Sequence, residues 1–168
     1  MADNATHDYQ AVSVIAGGHR FTGFARGDSF SLTYDEDLFE KVVGNLGLGA
    51  WRKNYGGLAA VGTLEFWATS NDNDIMTGFM KADFNTPAGF MFPMEVIVSN
   101  GTTLITIPAA RVMKVPDIAY GDTINTRSWA IGTTKAVPFI GGVLPTIVGS
   151  AEEAAAIVAA APPLPIAI

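Results

Sequence analysis

Apolar and polar residues alternate with a period of two along much of the chain. From Ser29 to Tyr34, Phe30, Leu32 and Tyr34 fall on one side and Ser29, Ser31 and Thr33 on the other, the signature of a half-buried strand. Tyr9–Ala16 and Arg20–Phe24 flank Gly17-Gly18, which predicts a hairpin turn. Phe92–Ser99 and Thr103–Arg111 flank Asn100-Gly101, a dipeptide that favours the tight turns joining antiparallel strands. Asp35-Glu36-Asp37 reads as the turn of a further hairpin, with Ser29–Tyr34 as its first strand and Leu38–Val43 as its return. Leu58–Thr69 and Ile124–Ile131 are strand-like runs, the second reached through Tyr120-Gly121-Asp122. Six or seven short strands separated by frequent turns predict a mainly β fold, a β-sandwich or barrel.

Three segments depart from this pattern. Ser70-Asn71-Asp72-Asn73-Asp74 precedes Ile75, Met76, Phe79 and Met80; the spacing puts these apolar residues on one face of a short flanking helix with an acidic first turn. Gly44–Gly57 is rich in glycine yet carries Trp51 and Tyr55, and reads as one long functional loop. Beyond residue 142 the composition changes. Ser150-Ala151-Glu152-Glu153 resembles a capping box and opens an alanine-rich stretch that ends in Pro162-Pro163-Leu164-Pro165. A helix this short is marginal alone, so residues 143–168 read as a C-terminal Ala/Pro-rich arm that needs a surface to dock on, appended to a domain spanning 1–142.

Composition sharpens this picture. Of the 168 residues, 49% are hydrophobic and only 15% charged, which leaves little charge to cover a monomer and favours burial against other subunits. A formal net charge of −6 argues against a surface that grips nucleic acid through its phosphates. The absence of cysteine excludes disulfides, a thiolate nucleophile and Cys-type zinc sites. Met1–Gln10 lacks the pattern of a secretory signal. The uncharged run Ala136–Ala151 is broken by Pro138, Gly141, Gly142, Pro145 and Gly149, so no membrane association is expected.

Motifs that carry chemistry are missing. There is no phosphate-binding loop, Gly44, Gly47 and Gly49 do not have dinucleotide-fingerprint spacing, and no nucleophile elbow occurs. His19 follows a glycine turn and reads as an ordinary exposed side chain. Asp35, Glu36, Asp37 and Glu40 lack the spacing of a calcium loop and read as a solvated turn. Arg52-Lys53 beside Trp51 and Tyr55 faintly resembles a nucleic-acid patch, but in an acidic chain it fits a protein contact better. No enzyme, cofactor or metal is expected.

The order of these elements resembles a known family. Thr22-Gly23-Phe24-Ala25-Arg26-Gly27-Asp28, the strand through Tyr34, and Asp35-Glu36-Asp37-Leu38-Phe39 running to Val43-Gly44 are similar to tail tube proteins of tailed bacteriophages, in particular a group associated with contractile tails. Arg52-Lys53-Asn54, Gly62-Thr63-Leu64-Glu65-Phe66 and Ala68-Thr69-Ser70-Asn71-Asp72-Asn73 continue the match, which covers roughly residues 8–140. The loop around Leu46, Leu48 and Trp51 is more hydrophobic than the family pattern, and the arm after residue 142 is not part of it.

The resemblance implies a structural virion protein. It would assemble as homo-hexameric rings stacked into a tail tube, with tail sheath, baseplate and tail terminator proteins as partners, phage DNA passing through without specific binding, and no membrane contact. Its place would be the virion, and the host cytoplasm during assembly. On this reading Trp51, Arg52, Lys53 and Tyr55 are candidates for contact with a neighbouring subunit. Asp28, Ser29, Ser31, Thr33 and Glu40 are candidates for lining the lumen, where an acidic wall repels phosphate. The competing readings are a capsid decoration protein, the tube protein of a secretion system, and a small β-barrel binding protein or hydrolase.

Overall fold

The computed structural model describes residues 12–27, 29–99 and 101–141; the arm assigned to 143–168 and the candidate Asp28 lie outside them. Ten strands and one helix follow in the order β1 (Val12–Ala16), β2 (His19–Arg20), β3 (Phe30–Tyr34), β4 (Phe39–Val43), β5 (Gly49–Lys53), β6 (Ala60–Trp67), α1 (Asp72–Asn85), β7 (Phe92–Val98), β8 (Leu104–Lys114), β9 (Thr126–Thr133) and β10 (Val137–Phe139). Among the described residues the fold is mainly β, as the alternating pattern predicts, with one helix. The hairpins β1–β2 and β7–β8 form where Gly17-Gly18 and the Asn100-Gly101 dipeptide place them.

Eight strands make one antiparallel sheet in the order β2-β1-β7-β8-β9-β6-β3, with β10 added beside the first half of β8. The sheet curls far enough to meet its own beginning. After β2, the Phe21 N–H donates to the Val14 carbonyl, and within a few residues the same segment crosses to β6. There the Ala25 N–H donates to Glu65 O and the Trp67 N–H to Gly23 O, with Phe24 bridging Phe66. Irregularities between Phe92 and Met94 and between Val112 and Lys114 let β7 and β8 bend around the curve.

Strand β6 alternates perfectly between buried and half-buried positions. Its Leu64 and Phe66 meet Val14, Met94, Ile107, Trp129 and Ile131 in a single core. The helix covers one opening of this core, with Met76 fully buried and Phe79 stacked on Phe92 at 4.4 Å between ring centroids. It runs on to Asn85, past the apolar cluster that predicts it.

One expectation is corrected here. Strand β3 does not pair with β4 across Asp35–Asp37; it pairs with β6, while β4 pairs with β5, so residues 44–57 are not a single loop. The two ladders are nested and form one long ribbon from Phe30 to Leu64, interrupted at residues 35–38 and 54–59. The Asp35 N–H still donates to Ala59 O, and the Asn54 N–H to Leu38 O, across the interruption. Gly57 sits where the two sides approach most closely, and a Cβ there would come within 2.8 Å of the Asp37 carbonyl oxygen.

Candidate assembly surfaces

The outer half of the ribbon, β4–β5, leaves the body with every residue exposed. Its register places Glu40 opposite Arg52, Lys41 opposite Trp51 and Phe39 opposite Lys53. Directly opposed residues share a face. One face therefore carries Phe39, Lys41, Trp51 and Lys53, and the other carries the Glu40–Arg52 ion pair. Trp51 is 70% exposed, Tyr55 86% and Leu46 at the tip 92%, although aromatic and aliphatic side chains of this size are normally buried. The Lys53 ammonium lies 5.2 Å from the Tyr55 ring centroid, within cation–π range.

The four contact candidates thus lie together on the projection, but Arg52 faces away from Trp51 and Lys53. Glu40 belongs to the same projection, bound to Arg52. The other lumen candidates sit on the body. Ser31 and Thr33 are exposed while Phe30, Leu32 and Tyr34 turn inward, and the Ser29 hydroxyl donates to Ala25 O at 3.3 Å. The register carries this face onto β6 and β9 as a mixed surface: Ser31 lies opposite Thr63 and Glu65 opposite Ser128, while Thr33 lies opposite Val61 and Thr63 opposite Ala130.

The acidic run lines an open depression of about 710 Å³ at the root of the projection, between Asp35, Glu36, Asp37, Glu40 and Trp51. Asn54 Nδ2 donates to Glu36 there at 2.5 Å. Among the described residues no three His, Asp or Glu side chains are grouped to hold a metal ion. No helix among them is long and apolar enough to cross a membrane.

A buried polar clasp closes the body. Asp72, 5% exposed, accepts hydrogen bonds from His19 Nε2 at 2.9 Å, the Thr22 N–H at 2.9 Å and the Gly23 N–H at 2.6 Å. Burial alone would raise its pKa, but these bonds and the attraction of His19 outweigh it and hold the carboxyl below its usual range. His19 is therefore not the ordinary exposed side chain expected of its turn: its ring bonds Asp72 and packs edge-on against Phe21. A Cβ on Gly23 would lie 1.7 Å from Ser70 Oγ, so only glycine allows this approach. The neighbouring Asn73 donates to Trp67 O and Ser70 O and accepts from Trp129 Nε1 at 3.0 Å, which joins the helix start to the core tryptophan. Read as an acidic helix turn, Ser70–Asp74 does not show its bonds to His19, Thr22, Gly23 and Trp129, because these partners of Asp72 and Asn73 lie some fifty residues away.

No protein-family model matches the chain. Over 120 residues, 70% of its length, it is 28% identical to Structural protein ORF10 of Pseudomonas phage KPP10, with 68% of that protein covered. The fold superposes on a chain of the PVC sheath–tube complex of an extracellular contractile injection system with a TM-score of 0.55 at 11% identity, covering 79% of this chain and 88% of that one. The tube-terminating cap of the anti-feeding prophage gives 0.56 at 12% identity, covering 83% and 94%. The PVC sheath/tube terminator gives 0.52 at 10% identity, covering 83% and 100%. The chain thus has the tail-tube-type fold of contractile injection systems. Its sequence relative is a phage structural protein, and these relatives are structural proteins rather than enzymes.

Proposed function

We propose that this chain forms the tube of a phage tail: hexameric rings that stack into a channel through which DNA is ejected. The observation that carries this reading is the pairing of a tube-type fold with a projection whose large apolar residues have no core of their own. A two-stranded ribbon is at best marginally stable in water, and a neighbouring subunit supplies the missing cover. Trp51, Arg52, Lys53 and Tyr55 then contact an adjacent ring. The polar face of Ser29, Ser31 and Thr33 lines the lumen, with Asp28 and Glu40 as the further lumen candidates.

The arm at 143–168 is a separate unit in this proposal. Its apolar residues, among them Ile147, Val148, Ile157 and Val158, cover a neighbouring subunit. Sheath, baseplate and terminator proteins are the partners along and at the ends of the tube, and the protein resides in the virion tail after assembly in the host cytoplasm. The similarity to two tube-terminating proteins favours a second reading, in which the chain forms a single ring that ends a tube. Electron microscopy of the purified protein separates these outcomes. Long tubes with six-fold symmetry and a central channel support the first, isolated rings support the second, and a compact monomer at high concentration overturns both.

A further inference from the structure

A second exposed apolar surface lies at the other end of the sheet. Ala60 of β6 pairs with Thr133 at the root of the ribbon, and Trp67 pairs with Thr126 at the far end. The eight residues of β6 span seven steps, about 24 Å, between the two ends. The connection between β8 and β9, residues 115–125, leaves β8 beside the middle of β9, where Lys114 pairs with Ala130, and ends at that far end, where the Ala68 N–H donates to Asn125 O. It exposes Val115, Ile118, Tyr120 and Ile124 by 46%, 65%, 85% and 68%.

The two surfaces also carry charges that can pair. Residues 115–125 contain Asp117 and Asp122, both exposed, with the cations Lys114 and Arg127 flanking the segment and Arg127 donating to the Tyr120 hydroxyl. The face of the projection around Trp51 carries Lys41 and Lys53, while the only acid on β4–β5, Glu40, is bound to Arg52 on the opposite face. A head-to-tail contact joins two different patches and repeats without closing, which requires complementary surfaces at opposite ends of the subunit.

Resting on the tube reading, we infer that residues 115–125 receive the β4–β5 projection of a second copy. Leu46 and Trp51 meet Ile118 and Tyr120, while Lys41 and Lys53 meet Asp117 and Asp122. The apolar pairs form the dry centre of the contact and the charges its rim, which sets register more than affinity.

Because the chain has no cysteine, paired substitutions test the contact directly. The double variant Leu46→Cys/Ile118→Cys, oxidised after assembly, should run as a ladder of covalent multimers under denaturing conditions. The pair Leu46→Cys/Phe84→Cys, with Phe84 more exposed on α1 than Ile118 is, should not. Lys41→Glu/Lys53→Glu should raise the concentration needed for assembly at least tenfold with an unchanged β-sheet circular dichroism signal. Adding Asp117→Lys/Asp122→Lys should restore it. Tubes that form normally but give no ladder from the Ile118 pair and no charge-swap rescue would overturn this inference and leave the tube reading standing. A wild-type protein that never assembles would overturn both.

Discussion

Strands β6 and β5 are neighbours in sequence and opposites in environment. In β6 the large apolar residues Leu64 and Phe66 are wholly buried, and the alternation along the strand matches the two faces of the sheet. In β5 and its partner β4 every position is exposed, yet Phe39, Val42, Val43 and Trp51 are as apolar as residues of the core. Apolar content alone therefore does not assign a residue to the core. The body gains its stability from its own packing, whereas the apolar surface of the projection has no cover within the described residues, and the proposed subunit contact would supply it. Substitutions in the first should alter folding, and substitutions in the second should alter assembly.

The largest separation of the two effects is expected at a pair of tryptophans. Trp129→Ala removes a fully buried side chain together with its bond to Asn73 and should cost about 3–5 kcal/mol in denaturant unfolding. Trp51→Ala should change unfolding by less than about 0.5 kcal/mol while tube formation, followed by sedimentation, is lost. Equal losses of stability in the two variants would erase the distinction between the regions.

The clasp comes next. Asp72→Asn should cost about 1.5–3 kcal/mol near neutral pH, the range for hydrogen bonds to a charged group. Because the folded protein holds the Asp72 carboxyl below its ordinary value, its stabilising contribution is complete above that ordinary value. It fades as the pH falls through the depressed one. Unfolding curves across the acid range should therefore converge for wild type and variant, and a constant gap down to the lowest pH would assign the loss to packing instead.

Gly23→Ala, which forces a methyl group against Ser70, should cost about 1–3 kcal/mol through overpacking. Releasing the crowding with Ser70→Gly should recover part of the loss, as a double-mutant cycle would show. The smallest effect is expected at the ion pair between Arg111 and Asp83 on the surface of the body, where Arg111 Nε lies 2.8 Å from the carboxylate. Arg111→Ala should cost only about 0.2–1 kcal/mol, and less in high salt.

Local signals in the sequence were faithful wherever one short segment settles its own conformation. The alternation of Phe30, Leu32 and Tyr34 with Ser31 and Thr33, the glycine turn after Ala16 and the helix after Ser70 are all legible, and the structure contains each. Strand β5 was hidden because a strand exposed on both faces has no alternation to read, and its glycines imitate a loop. The partner of β3 was hidden for another reason. Asp35-Glu36-Asp37 has turn chemistry, but the ladder continues past it, because pairing with β6 buries Phe30 and Leu32 against the core and pairing with β4 does not.

Fold class and the inward and outward faces of the strands follow from residue order, since side-chain period is a local property of the chain. The closure of the sheet through residues 21–25, the clasp of His19 on Asp72 and the placing of two apolar surfaces at opposite ends of β6 join residues far apart in sequence. Only the three-dimensional packing settles these, because each depends on which distant backbone groups and side chains the buried core brings within bonding distance.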